Sequence, residues 1–211
     1  MTPERFRREV RRIVPGATEE AVERLLAFAR LLAEFAHPLG LVGERRAKRL
    51  LSEHLLDAVF LVPHLTGGPV ADLGSGAGLP GMVLAIMRPE LEVWLVEPRR
   101  RAVSFLEYAR ATLDLPGVRV VRARAEDTEV PRNYFAAVTA RAVADLAKLW
   151  RLSEPLLRTN GILLAPKGPR GEAEIRELLR RRPDLGIEKH PYRTTGPKTL
   201  LLIKVFKGSP S

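Results

Sequence analysis

The feature that most constrains this chain is the stretch Val70-Ala71-Asp72-Leu73-Gly74-Ser75-Gly76-Ala77-Gly78-Leu79-Pro80-Gly81. A short apolar run ends in an acid. A glycine-rich turn follows, and a proline then opens a helix-like segment. That order lets a nucleotide-sized ligand approach the backbone at the end of a β-strand. A second apolar run, Val93-Trp94-Leu95-Val96, ends in Glu97, which follows Gly78 by 19 residues. An acid at that distance suits the hydroxyls of a ribose. Together they predict an α/β domain that holds a nucleotide-like cofactor.

The turn separates the candidate cofactors. A dinucleotide fingerprint reads G-x-G-x-x-G, with pyrophosphate lying on the helix N-terminus. Here Gly74, Gly76 and Gly78 give G-x-G-x-G, and Leu79 stands where the last small residue of that fingerprint would be. Asp72 would repel a pyrophosphate, yet it can pair with an amino group, directly or through water. S-adenosylmethionine carries a cationic amino acid end and no phosphate, so it fits this turn. The competing reading is a glycine-rich turn in a Rossmann-like protein that binds another nucleotide, or none.

Hydrophobic spacing organises the rest. Pro3 to Ile13 and Thr18 to Ala36 read as helices, with Thr18, Glu19 and Glu20 suited to the start of the second. His37-Pro38-Leu39-Gly40 is a break, and Glu44 to Leu65 is helical again. Thr66-Gly67-Gly68-Pro69 marks entry to the cofactor domain. The expected division is a helical cap over 1–66 and a Rossmann-like domain over 67–211. In the second part strands are predicted at Val70–Leu73, Val93–Val96, Val118–Arg122, Ala136–Ala140 and Ile162–Ala165. Helices are predicted at Pro80–Met87, Arg99–Leu113, Val143–Leu157 and Gly171–Arg182, and Asn160-Gly161 is read as a turn. An extended segment near Ile187–Tyr192 and a strand Leu200–Phe206 close the chain as a hairpin-like pair. Such alternation gives a mostly parallel sheet with helices on both faces.

Composition narrows the chemistry. The 211 residues suffice for one substantial core, and 45% of them are hydrophobic. Without cysteine there is no disulfide, thiolate metal site or cysteine nucleophile. No apolar run approaches the ~20 residues of a membrane span. The first residues are charged and lack a signal-like apolar stretch, so a cytoplasmic protein is expected. The formal charge of +10 suits a polyanionic partner, or reflects an arginine-rich proteome. The four histidines show no metal-ligand spacing, so no metal is expected. His54 and Asp57 share a helical face, as a structural pair or as part of a lid.

In an open α/β sheet the ligand sits beyond the carboxyl ends of the strands. The third strand leads there to Arg124-Ala125-Glu126, the fourth to Arg141 and the fifth to Lys167. Backbone groups of Ala125 and Glu126 can read an adenine edge, while Arg124 and Glu126 can equally form a local ion pair. Arg141 and Lys167 beside a sulfonium cost Coulomb energy unless an anion also arrives, and an RNA phosphate is such an anion. The bland alternative is a pair of surface charges. No Asn-Pro-Pro-Tyr or Asp-Pro-Pro-Tyr follows the fourth strand, and no cysteine can add to a pyrimidine. N7 of guanine needs neither. It has a free lone pair and no proton, so its methylation requires alignment rather than a base.

Several further stretches carry a family resemblance. They are Glu53-His54-Leu55-Leu56-Asp57-Ala58, the Leu79-Pro80-Gly81 extension of the glycine turn, Met87-Arg88-Pro89-Glu90, Ala140-Arg141-Ala142-Val143-Ala144 and Pro166-Lys167-Gly168-Pro169. With them the chain resembles, from about Leu26 to Val205, the bacterial small-subunit ribosomal RNA methyltransferase G family, also called glucose-inhibited division protein B. The resemblance implies a class I S-adenosylmethionine-dependent methyltransferase fold, with a seven-stranded, mostly parallel sheet. It implies N7 methylation of a guanosine in 16S rRNA, with free rRNA or the 30S particle as partner and a monomeric enzyme. It places Gly74, Leu79, Ala125, Glu126 and Arg141 on the cofactor, with Glu97 as the ribose acid and Asp72, Gly76 and Gly78 completing the cradle. Arg141 and Lys167 are the expected catalytic pair, and Arg124, Lys167 and Lys198 the expected RNA contacts. The chain departs from the family's usual pattern at Leu39-Gly40-Leu41-Val42, at Glu53 and at Lys198-Thr199. Alternatives are a methyltransferase acting on another RNA position, a small molecule or a protein, and a non-enzymatic nucleotide- or RNA-binding domain.

Overall fold

Seven strands form one sheet in the order β3-β2-β1-β4-β5-β7-β6, and only β7 runs antiparallel to its neighbours. The strands are β1 (Val70–Leu73), β2 (Val93–Val96), β3 (Val118–Val121), β4 (Phe135–Thr139), β5 (Leu157–Lys167), β6 (Leu185–Tyr192) and β7 (Leu200–Lys207). This computed structural model describes residues 1–44, 46, 49–141, 144–193 and 199–208. β1 and β4 lie at the centre and every residue in them is buried, as strands covered on both faces must be. The sheet reverses direction of winding between β1 and β4, which opens a crevice beyond their carboxyl ends.

Alternation along the strands sorts side chains into two cores. Val70, Val93, Leu95, Ala137, Ile162 and Leu164 face one side, while Ala71, Leu73, Val96, Val138, Leu163 and Ala165 face the other. The second side is covered by α6 (Leu146–Ser153) and α7 (Gly171–Arg181), through Leu149, Trp150, Ile175 and Leu178. The first is covered by α4 (Gly81–Met87) and α5 (Arg100–Thr112). The N-terminal helices α1 (Pro3–Ile13), α2 (Glu19–Leu31) and α3 (Leu56–Val59) pack on that same side. Phe6, Val10, Phe28, Leu32 and Leu55 run in one apolar cluster with Met82, Ile86, Phe105 and Leu106. A continuous core therefore crosses the 66/67 boundary.

Local chemistry sets the ends of these elements. Thr18 caps α2 by accepting the Ala21 N–H at 3.1 Å. The helix then widens over Leu32–Ala36, where the His37 N–H reaches the Leu32 carbonyl at 3.0 Å. It stops at Gly40 (φ +68°), with Leu41 N–H on Ala36 O and Gly40 N–H on His37 O. This is the paired closure that a left-handed glycine allows. A second widened turn, Leu50–Leu55, leads into α3.

Two expectations are corrected. The helix expected over Val143–Leu157 is only Leu146–Ser153, because Asp145 caps it by accepting the Lys148 N–H at 2.9 Å and Pro155 follows its end. Asn160-Gly161 is not a turn before β5 but an irregularity within it. Asn160 has φ +61°, and the pairing with β4 shifts register between Phe135 and Ala137. No helix among the described residues is long and apolar enough to cross a membrane.

Candidate functional site

The glycine turn leaves β1 and is held from below by Asp72. This residue is fully buried, and its Oδ2 accepts the Gly81 N–H at 3.0 Å. Ser75 Oγ donates to the Asp72 carbonyl at 2.8 Å, so the same residue anchors both limbs of the turn. Gly81 is needed because a Cβ there would fall on Leu95 Cδ2 and 2.7 Å from Asp72 Oδ2. Burial raises the Asp72 pKa to about 7, and the Gly81 hydrogen bond offsets only part of that. Its Oδ1 is buried with no hydrogen-bond partner among the described residues. The turn thus rests on a buried carboxyl group with one oxygen unpartnered.

Gly76 has φ +56° and lies against a cavity of about 440 Å³. Gly74, Ser75, Ala77 and Leu79 line it from the turn, Glu97, Pro98 and Arg99 from the end of β2, Leu41 and Val42 from the segment after Gly40, and Arg141 from the end of β4. Leu41 and Val42, part of the departure from the family pattern, therefore line this cavity. Gly78 stands apart from the cavity lining. A Cβ there would come within 2.6 Å of Met82 Cγ, so this glycine lets α4 pack closely.

Glu97 is buried at the end of β2. Its Oε1 accepts the Arg99 N–H and Arg99 Nε–H, both at 2.9 Å, and its Oε2 accepts the Gly76 N–H at 2.8 Å and Arg99 Nη2–H at 3.4 Å. Burial pushes its pKa up, but the hydrogen bonds from Arg99 and Gly76 together outweigh burial and hold it below the usual carboxylate range. It is an anion at neutral pH.

Arg141 is the junction of the site. A second, larger cavity of about 850 Å³ lies over the ends of β4 and β5, and Arg141 lines both spaces. Its Nη1 sits 3.2 Å from His54 Nδ1 and 3.6 Å from Asp57 Oδ2. Burial and the neighbouring Arg141 lower the His54 pKa, so a neutral imidazole accepts from the guanidinium. Tyr192, at the end of β6, donates its hydroxyl to Asp57 Oδ1. His54 and Asp57, read in the sequence as a pair on one helical face, both turn toward Arg141. Tyr192 was not singled out, since nothing in the sequence links position 192 to position 57.

Lys167 is not the free cation expected. Its Nζ donates to the Ala144 carbonyl at 2.6 Å and pairs with Glu174 at 2.9 Å. Glu174 also accepts the Leu146 N–H at 2.9 Å, so the pair holds Ala144 and the start of α6. Neither cation is paired by an acid of the glycine turn: Asp57 lies beside Arg141 and Glu174 pairs with Lys167. Asp57 comes from a helix far earlier in the chain, and Glu174 from α7, which begins just after β5. Ala125 is buried and Glu126 exposed after β3, and neither lines the 440 Å³ cavity. Arg124 is exposed, and its side chain makes no ion pair among the described residues, with Glu126 or any other acid. Its N–H is bound by Asp127 at 2.7 Å. Lys198 lies outside the described residues. Arg99, which the sequence reading missed, carries its own signal: a cation two residues after the strand-end acid.

A doubly wound sheet with one antiparallel strand near its far edge, an acid beneath a glycine turn and a second acid at the end of β2 together define a class I S-adenosylmethionine-dependent methyltransferase. A solved S-adenosylmethionine-dependent methyltransferase from Aquifex aeolicus shares the fold, with a TM-score of 0.60 at 17% identity over 80% of this chain and 97% of that one. The chain belongs to the rRNA small subunit methyltransferase G family, whose model matches residues 21–197. A protein named ribosomal RNA small subunit methyltransferase G from Beutenbergia cavernae is 46% identical over 151 residues, 71% of each chain. One of the same name from Thermobifida fusca is 47% identical over 165 residues, 75% of this chain and 68% of that one.

Proposed function

We propose that this chain methylates N7 of a guanosine in the 16S rRNA of the small ribosomal subunit, using S-adenosylmethionine. The observation that carries this reading is Arg141, which stands on the wall shared by the two cavities. One cavity has the strand-end acid Glu97 and the glycines suited to the cofactor, and the other, at the strand ends, is open to a base.

The bound cofactor supplies an electrophilic methyl group on a sulfonium. The chain supplies position. Glu97 accepts from the ribose hydroxyls, and the turn at Gly74 and Gly76 lets backbone come close. Asp72 holds that turn, and Leu41 and Val42 keep water from it. Arg141, oriented by His54 and Asp57, has donors that match O6 of guanine and leave the N7 lone pair unengaged. No general base is required, because N7 carries no proton. Arg100, Arg101, Arg122 and Arg124 are exposed after β2 and β3 and make no ion pair among the described residues. They form a cationic rim suited to phosphates. Such a substrate places the work in the cytoplasm.

The test is methyl transfer from labelled cofactor to 30S subunits and to naked 16S rRNA from a strain lacking the enzyme, followed by mass analysis of nucleosides. N7-methylguanosine at one position is the expected product. Label at another atom, or in small metabolites only, overturns the reading. Arg141→Ala is expected to slow single-turnover transfer more than it weakens cofactor binding.

A further inference from the structure

The carboxylate of Glu97 already has as many partners as it can take. An ionised carboxylate offers about four acceptor positions. Two are filled by backbone donors, Gly76 N–H and Arg99 N–H, which belong to the turn and to the start of α5. The other two are filled by Nε–H and Nη2–H of the Arg99 guanidinium. That guanidinium lies over the glycine turn, with Nη2 at 3.5 Å from where a Cβ on Gly76 would sit, and it lines the 440 Å³ cavity. It stands in the space a ribose would use.

From this geometry we infer that Arg99 is a displaceable cover on the cofactor site, whose side chain must leave Glu97 before a ribose can bind there. The inference rests on the reading of this cavity as the S-adenosylmethionine site. A ribose brings two hydroxyl donors, and Glu97 can receive them only where two donors depart. The backbone donors are fixed by the fold. The Arg99 side chain is 60% exposed, whereas Glu97 is 2% exposed, so the guanidinium can turn to water while the ribose hydroxyls take its place on the carboxylate. Its bonds to Glu97 therefore set part of the cofactor's affinity with a negative sign. A residue that binds the ribose acid lowers the occupancy of the site it appears to complete.

The test is calorimetric titration with S-adenosylhomocysteine, whose net charge is zero, against the wild-type chain, Arg99→Met and Arg99→Lys. Arg99→Met is expected to bind about two- to fivefold more tightly, as the guanidinium no longer competes with the ligand for Glu97. Arg99→Lys, which keeps the charge but not the fork, is expected to fall between. Added KCl screens the pair, so wild-type affinity is expected to rise with salt and that of Arg99→Met to stay flat. Thermal denaturation confirms that each variant is folded. Equal or weaker binding by Arg99→Met, with wild type binding normally, overturns this inference alone and makes Arg99 a support for Glu97. Absence of binding to every folded protein overturns the cofactor reading as well.

Discussion

The hydroxyl of Tyr192 on β6 donates to the carboxylate of Asp57 on α3, joining positions 135 residues apart. Burial pushes the Asp57 pKa up, while Tyr192 and Arg141 pull it back toward the ionised form. The same burial, with Asp57 opposite, pushes the Tyr192 phenol up, so it stays a donor. The last parallel-to-antiparallel transition of the sheet is thereby tied to the orientation of Arg141.

Tyr192→Phe removes one donor and leaves a buried acceptor short of a partner. The expected loss is about 1–3 kcal/mol of stability, measured by urea unfolding. Methyl transfer is expected to fall in parallel, with cofactor affinity nearly unchanged. Wild-type stability in this variant would show that Asp57 finds another donor.

Arg124 and Lys167 should separate cleanly in RNA binding. Arg124 is exposed and has no acid partner among the described residues, so Arg124→Ala is expected to lower the salt slope of RNA binding by about 0.7–0.9. Lys167 is neutralised by Glu174, so Lys167→Ala is expected to leave the slope unchanged. Its cost should appear as lost stability, through the contacts with Ala144 and Glu174. Filter binding across a KCl series reads both.

Gly81→Ala should be disproportionately harmful for one methyl group. The added carbon would meet Leu95 and the carboxylate of Asp72 at 2.7 Å, both fully buried. A loss of ~1–3 kcal/mol or more is expected from overpacking at this site. Gly16→Ala, where nothing lies within 4 Å, is the neutral control. Urea midpoints of the two variants give the comparison.

Asp72 predicts a pH dependence of stability. Its folded pKa of about 7 lies above its ordinary 3.8, with Arg141 and Glu97 as its charged neighbours. Between those values the folded chain holds a proton that the unfolded chain has lost. This contribution to stability therefore falls as pH rises from about 4 to 7, by as much as ~4 kcal/mol, and is fully lost above. Asp72→Asn should flatten that slope. Unfolding of both proteins at pH 5 and pH 8 checks it, and equal slopes would place the Asp72 pKa near its ordinary value.

The sequence made the sheet legible because its signals are local. Glycines at 74 and 76, the acid at 97 and the apolar four-residue strands each report on their own neighbourhood. Even the register irregularity at Asn160-Gly161 had its signature, although a turn and a bulge use the same residues for the same positive φ. What stayed hidden was the neutralisation of Arg141 and Lys167. Asp57 and Glu174 reach them from helices whose side-chain directions depend on packing across the whole sheet. Arg141 and Lys167 looked alike as strand-end cations, and only the fold shows that Arg141 lines both cavities while Lys167 lines one and is paired with Glu174.

The shared apolar cluster that joins α1, α2 and α3 to α4 and α5 leaves no seam along which the chain can melt in halves. Leu41 and Val42 come from one part and the glycine turn from the other, so a ligand between them is gripped by both. Mass action then acts on the molecule as a unit: ligand at a hundredfold excess over its dissociation constant raises the unfolding free energy by ~2.7 kcal/mol. A scanning calorimeter should record one endotherm that shifts whole, rather than two that part company as the cofactor is added.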